Sequence, residues 1–588
     1  MATFLELLRL RLVILFLIIL TAIIMLSPIA SNALVPNCAD MINHLSAIIQ
    51  AKMGLEEGQF PLRVMPFLHS GWRYPFYQFY SSTAYLAAGA LFMLTPWNPF
   101  ITFKLTILLA IVVGGIYMYR LANIFVSSHY AALLASIAYL TSPYYLIVLD
   151  HMFDFTESIA LGMVPVTLYY TLKLFYFPRN AQTFLLMSLS WYLLATIHIV
   201  TFFYTFMFLG FLLIAFTCMH RNYWRSLLWL GGGFIFAMAL AAWCLLPILE
   251  IKKFLFVENY YGVDQFLRYF STALTSLFSP IANILPLHLE ARKTTNIVFM
   301  LRPNIGIPFL FAIAMSLYIF IRQEKINPIA DAWMLPLLMT ALFILLLIWA
   351  PLRIWSYLPH TLTVAQYSWR LLGGFSWVAA LLFAIAFAWL FPAGTITLKY
   401  LLISFFCVVL ATSSWYRVSD LGYTFADFPG MIKNPLTYNI EDVYLPNPRT
   451  LTMNKPASSL KQPLIMPIKE SQQYCHQNKN MTKCSLPIST AAKIIQLPIL
   501  YYPKLLSILL NGKKVSYQGM LYQDKLLAAI TTVPNIKNTI EIQFEGLAYA
   551  NKISGLSWCV WILLWLYQIK RLFPLRSSRK QELTLCVK

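Results

Sequence analysis

Apolar runs, broken by short polar stretches, recur along the chain as far as residue 415 and once more near the C-terminus. A helix rises ~1.5 Å per residue, so runs of roughly 17 to 25 residues match the ~30 Å hydrocarbon core of a bilayer and predict membrane helices, not strands. Crossings are expected over 8–33, 101–121, 129–149, 157–176, 182–197, 199–219, 226–249, 303–322, 332–350, 371–391, 399–415 and 553–570. With those twelve crossings, Arg120, Lys173, Arg179, Arg221, Arg225, Arg322, Lys325, Lys399 and the basic tail from Lys570 to Lys580 all fall on one side, as the positive-inside rule requires. Residues 82–96 are apolar over only about fifteen positions, too few for a crossing. They are expected to form a re-entrant or juxtamembrane helix with both ends outside, since irregular backbone at membrane depth is tolerated where protein covers it.

This threading leaves external loops at 35–81, 150–156, 250–302 and 351–370, expected to converge on one membrane face. Residues 416–551 change character. Alternating runs at Leu497–Tyr502, Leu505–Leu510 followed by Asn511-Gly512, and Thr539–Phe544 predict strands and a hairpin, so a small β-sandwich-like external domain is expected. The expected organisation is an all-α membrane bundle over 1–415, a β-rich external domain over 416–551, and a last span with a basic tail over 552–588. No repeat is evident.

Composition agrees: 60% of the 588 residues are apolar and 11% charged, too few polar groups to cover a soluble globule. The net charge of +21 is scattered between apolar segments instead of gathered in a basic domain, which argues against nucleic acid as a partner and for a record of membrane orientation. Arg9 and Arg11 precede the first run, whose core is too long for a signal peptide. It reads as an uncleaved span with the N-terminus in the cytoplasm, cleavage after Ser31-Asn32-Ala33 being the minor alternative. Cys218, Cys244, Cys407 and Cys559 fall in or beside apolar segments, where the ordinary role is a small buried hydrophobe. Cys475 and Cys484 can pair if their region faces an oxidising compartment; with only His476 nearby they do not make a zinc site.

Candidate chemistry concentrates in the external loops. Asp40 and His44 stand four apart after the first span, so on a helix they share a face, as a general base and its orienting partner would. A helix cap or solvated pair explains the same spacing. Arg63, His69, Trp72, Arg73, Tyr74 and Tyr80 mix cations with flat rings, suited to a phosphate and a sugar, or to an interfacial aromatic belt. Asp150, Asp154 and Glu157 place three of only 22 acidic residues within eight positions, beside His151, which suggests a polar cavity; a favourable helix start is the plainer account of Glu157. His198 sits in a tight turn between two spans, and Gln366, Trp369 and Arg370 precede another, where Arg370 is a phosphate contact or a snorkelling anchor. A Walker loop, a Gly-x-Gly-x-x-Gly turn and a His-Glu-x-x-His pair are all missing, so direct use of ATP or a dinucleotide is unsupported.

The order Asp40-x-x-x-His44, Gly58-Gln59-Phe60-Pro61-x-Arg63 and Gly71-x-x-Tyr74-Pro75-Phe76-x-x-Phe79-Tyr80 resembles a family of bacterial membrane proteins labelled 6-pyruvoyl-tetrahydropterin-synthase-related. Ser142-Pro143-Tyr144 with Glu157, His198, Gln366-x-x-Trp369-Arg370 and Leu497-Pro498-x-x-Tyr501-Tyr502-Pro503 continue the resemblance. That family is similar to the C-type (GT-C) glycosyltransferases, multi-span enzymes that use polyprenyl-phosphate-linked sugars and carry a catalytic carboxylate in the first external loop; Asp40 stands at the matching position.

The resemblance implies an inverting sugar transferase at the outer face of the bacterial inner membrane, with both termini cytoplasmic. Asp40 would be base, with His44, Asp154 and Glu157 beside it. Arg63, His69, Arg73, Tyr74, Tyr80, His198, Trp369 and Arg370 would bind the donor or a saccharide, lipid or protein acceptor, and a divalent cation is a candidate at Asp154 or Glu157. A non-catalytic flippase for lipid-linked saccharide and an envelope assembly scaffold are the alternatives. Relatives commonly show Arg-Gly where this chain has Met152-Phe153, so an arginine contact to phosphate is lost there. The zinc-binding histidines of soluble pterin synthases have no counterpart, and pterin chemistry is set aside.

Overall fold

Because lipid offers backbone groups no hydrogen-bond partner, the apolar runs fold as helices, and their starts are marked by polar caps. The computed structural model describes residues 2–36, 39–256, 274–278, 303–359, 367–392, 398–413, 423–433, 445–448 and 464–572. The principal elements are α1 (Ala2–Met25), β1 (Leu34–Pro36), α2 (Ala39–Glu56), α3 (Thr83–Phe92), α4 (Pro99–Phe125), α5 (His129–Leu140) and α6 (Phe155–Tyr176). Then follow α7 (Ala181–Ile197), α8 (Ile199–Met219), α9 (Trp224–Leu240), α10 (Ala242–Ile251), α11 (Ile307–Arg322), α12 (Pro328–Trp349), α13 (Leu372–Leu390) and α14 (Leu398–Ser413). Asn98 caps α4, Asp154 α6, Asn180 α7, His198 α8 and Asn327 α12, each side chain accepting a backbone N–H of the first turn.

The chain is an integral multi-pass membrane protein. Among the described residues seven helices are long and apolar enough to cross a bilayer, or eight if the pair Arg221–Leu240 and Ala242–Phe254 is one broken span. That is fewer than the twelve crossings expected: α7 has 17 residues, and α11 and α14 have 16 each, short for an untilted crossing. The run at 226–249, expected as one span, is bent by 76° at its break. Residues 150–156 are not a free loop either, since a π-helical turn at Ile147–Met152 carries the preceding span through Asp150. The 82–96 segment forms α3, ten residues long and packed on α2. Helices α4 and α6 cross where Gly114 faces Gly162; a Cβ on Gly114 would meet Gly162 Cα at 2.9 Å, so the small residues set the approach.

The β-rich region lies before the last helix, α15 (Ala548–Leu572). After β2 (Tyr423–Phe425), which pairs with β1, come β3 (Leu464–Met466), β4 (Cys475–Asn478), β5 (Met481–Leu486), β6 (Lys493–Leu500), β7 (Leu506–Leu510), β8 (Lys513–Lys514), β9 (Gln518–Tyr522), β10 (Lys525–Thr531) and β11 (Asn538–Phe544). They form a four-stranded sheet, β3-β6-β10-β9, and a five-stranded sheet, β4-β5-β11-β7-β8. The expected Asn511-Gly512 turn joins β7 to β8 with φ of 51° and 78°, the left-handed values such a turn needs. Cys475 and Cys484, opposite each other across β4 and β5, form a disulfide.

The first loop, the end of α10, the β-rich region and the start of α15 touch one another. Arg63 Nη2 donates to Asn551 Oδ1 at 2.8 Å, Arg73 Nη2 to Asn480 Oδ1 at 2.7 Å, Leu500 N to Trp72 O at 3.0 Å, and Lys504 pairs with Glu250 at 2.6 Å. Most of 250–302 and residues 360–366, Gln366 included, lie outside the described residues.

Candidate functional site

The start of α6 is built by its own cap. Glu157 N and Thr156 Oγ1 both donate to Asp154 Oδ1, at 2.9 and 3.0 Å, which holds two carboxylates one helical turn apart at the bundle end. Before them Phe153, fully buried, takes φ of 53°, a left-handed value at which the chain turns sharply into the helix.

Side chains from elsewhere in the sequence close around this turn. From α2, His44 Nε2 comes to 3.9 Å of Asp154 Oδ1, and its Nδ1 lies 2.6 Å from Tyr85 Oη of α3. Tyr80 Oη lies 2.8 Å from Thr156 Oγ1, Tyr144 donates to Glu157 Oε1, and Arg370 Nε stands 4.0 Å from Glu157 Oε2. His198, wedged between α7 and α8, places Nδ1 2.8 Å from Thr201 Oγ1. One ligand-capable atom from each of Asp154, Glu157 and His198 lies within 4.8 Å of the other two, and all three residues are buried. A cleft of ≈ 10 Å³, lined by Tyr144, Glu157, Leu161, Thr201, Tyr204 and Arg370 among others, adjoins them, with about the room one water needs. A Cβ on Gly373 would lie 2.9 Å from Tyr144 Cε1, so glycine there lets the tyrosine reach Glu157.

Burial pushes the His44 imidazole below its ordinary pKa, more than the Asp154 and Asp40 carboxylates raise it. For Asp154 burial alone would raise the pKa, yet His198, His44 and the Glu157 N–H together hold it below the usual carboxylate range. Asp40 is half-buried in the first turn of α2, a turn before His44. Trp369 stacks on Tyr367 at 5.6 Å between ring centroids and lies 6.1 Å from Tyr144, so it walls the Glu157 side.

Arg63, Arg73 and Tyr74 belong to a different network. Arg63 is gripped by Gln78 and Asn551 and lies over the Trp243 ring at 5.1 Å; burial lowers its pKa to about 10. Arg73, 2% exposed, pairs with Glu57 at 2.9 Å, and Tyr74 is fully buried, bridging to Met65. His69 lies in the short helix Leu68–Gly71, its side chain outside the described set. Sequence reading passed over Tyr85 and Thr201 as site residues, and Tyr144 entered only as part of a motif. The tyrosines sit in apolar surroundings, and nothing in their immediate sequence announces a buried hydrogen bond.

Residues 77–302 match the family described as "6-pyruvoyl-tetrahydropterin synthase related domain; membrane protein". This segment holds Tyr80, Tyr144, Asp154, Glu157 and His198. A solved structure, the arabinofuranosyltransferase AftD from Mycobacteria, is similar over 70% of this chain at 15% identity and a TM-score of 0.42. The chain spans only 27% of that structure's length, and a likeness at that level carries no chemistry across. No curated protein matches the sequence.

Chemically, the arrangement offers two carboxylates, an imidazole with one nitrogen directed to a threonine, and a guanidinium beside an aromatic wall. Glu157 Oε2 and Arg370 Nε are both buried and without a hydrogen-bond partner. Buried polar groups in this state are costly unless a ligand or water completes them. Asp154, Glu157 and His198 are the residues that fit a divalent cation; Arg370 fits a phosphate oxygen.

Proposed function

We propose that the chain is a membrane glycosyltransferase of the C type, which moves a sugar from a polyprenyl-phosphate donor to an acceptor hydroxyl at the outer face of the bacterial inner membrane. The observation that carries this reading is the buried, incompletely hydrogen-bonded pair of Glu157 and Arg370, set against an aromatic wall at the end of an apolar bundle. Soluble sugar nucleotides would need no such setting; a lipid-borne phosphate does. The Cys475–Cys484 disulfide fits placement of the 416–551 domain outside the cytoplasm, with both termini inside and α1 together with the shorter helices α7, α11 and α14 completing twelve crossings.

In this scheme the acceptor oxygen forms a bond to the anomeric carbon while Asp40 takes its proton. The bond from that carbon to the phosphate oxygen breaks, and its electron pair leaves on polyprenyl phosphate. Arg370 neutralises the departing charge, and inversion follows from the single displacement. Asp154 and Glu157 position the acceptor, with Tyr80, His198 and Trp369 around it. A general base contributes ~10²–10⁴ in rate. Asp40→Asn is therefore expected to lower lipid-linked sugar transfer in membranes by at least ~10²-fold; transfer near the unaltered level removes Asp40 from this role.

The broken pair at Arg221–Leu240 and Ala242–Phe254 favours a second reading, a flippase for lipid-linked saccharide, because discontinuous helices are a device of transporters. Transfer releases free polyprenyl phosphate, whereas transport leaves the lipid-linked saccharide intact, so mass spectrometry of the lipid fraction separates the two.

A further inference from the structure

We propose that Asp154, Glu157 and His198 form a binding site for a first-row divalent cation of the Mn²⁺ class. The three come from the starts of two helices, and each has one atom already engaged. Asp154 Oδ1 caps α6, Glu157 Oε1 accepts from Tyr144, and His198 Nδ1 meets Thr201 Oγ1. What remains is the other carboxylate oxygen of each acid and His198 Nε2, and one atom from each residue lies within 4.8 Å of the rest.

A second, independent sign points to a missing partner. The Glu157 side chain is 3% exposed, yet its Oε2 accepts no hydrogen bond, and Arg370 Nε at 4.0 Å donates none. Two carboxylates so close, at 3% and 9% side-chain exposure, repel each other in a medium that screens poorly. The Thr201 hydroxyl lies 2.8 Å from Nδ1 and the Thr201 N–H 3.4 Å; a metal on Nε2 requires the tautomer in which Nδ1–H donates to the hydroxyl, as outer-shell partners of metal-bound histidine accept, in exchange for the long cap contact from the backbone. One imidazole with two carboxylates suits Mn²⁺ or Zn²⁺ better than Mg²⁺, which prefers oxygen alone. Three protein ligands leave positions open for a phosphate oxygen, next to Arg370.

This deepens the transferase reading by giving the donor phosphate a cation to meet, but the site would serve a flippase as well. The test therefore needs no sugar transfer. Full-length protein in detergent is titrated with Mn²⁺ alone, and binding is followed by the loss of the free-ion electron paramagnetic resonance signal. Nitrogen coupling to the bound ion is read by electron spin-echo modulation. One equivalent bound with a ¹⁴N coupling is expected in the unaltered chain, a measurement that requires no variant. His198→Gln should abolish the coupling. Asp154→Asn, which retains a helix cap, should weaken binding at least tenfold, and Thr201→Val by 10- to 100-fold as outer-shell changes do. Absence of Mn²⁺ binding up to millimolar concentration overturns the proposal. So does a coupling that survives His198→Gln and vanishes in His44→Gln. Binding without sugar transfer would sink the transferase reading alone, and transfer without binding the cation site alone.

Discussion

Two polar networks sit close together at this end of the protein and are finished to different degrees. Around Arg63 and Arg73 the charges are answered by Glu57, Gln78, Asn480 and Asn551, partners drawn from the first loop, the β-rich region and the last helix; Arg73 Nε is buried without a hydrogen bond, but the Nη2 of the same guanidinium is held twice and its carboxylate partner is hydrogen-bonded. Around Glu157 and Arg370 a carboxylate oxygen and a guanidinium nitrogen are buried without hydrogen bonds. The first network fastens one part of the chain to another. The second holds charge in readiness, which a stable fold tolerates only where something else completes it.

The comparison can be broken in three further ways. The largest effect is expected at the open network: Arg370→Lys replaces a planar fork with a point charge and should lower kcat/KM for lipid-linked donor by about 10²-fold, as loss of one charge-stabilising donor does. Unchanged kinetics would show that the guanidinium faces nothing that reacts. At the closed network, Arg73→Met takes the cation from a half-buried Glu57 and the donor from Asn480, and should destabilise the protein by about 1–3 kcal/mol. That loss should appear in thermal unfolding of the detergent-solubilised protein, while the ¹⁴N coupling of bound Mn²⁺ persists; normal unfolding with lost coupling would exchange the roles of the two networks.

The smallest effect concerns pH and His44. Its pKa in the folded protein lies below the ordinary value of about 6.5, so the unfolded chain binds the proton more readily. Stability contributed by the neutral ring is therefore complete above that value and declines as pH falls toward the folded-state pKa. Denaturant midpoints should drop between pH 7.5 and pH 5.5, and His44→Gln should flatten that slope. An equal slope in the variant would place the titration elsewhere.

The helices and the β-rich region were legible because each rests on local periodicity. An apolar run has one satisfactory conformation in lipid, and the Asn511-Gly512 turn with its flanking strands declares itself within a dozen residues. Crossing number was less legible, since the bend beyond Leu240 leaves no break in hydropathy. The polar residues of the loops were recognisable as candidates by type, and His44, Tyr80, Asp154, Glu157, His198 and Arg370 do gather in one place.

What the residue order could not decide is which charged groups stay open. Arg63 and Arg370 look alike in sequence, each an arginine among aromatics before an apolar stretch. Their difference lies in partners such as Asn551, 488 positions from Arg63, and in the Glu157 oxygen that nothing reaches. Hydrogen bonds act over about 3 Å, so whether a buried charge is answered depends on which distant segments pack beside it, and only the folded chain settles that.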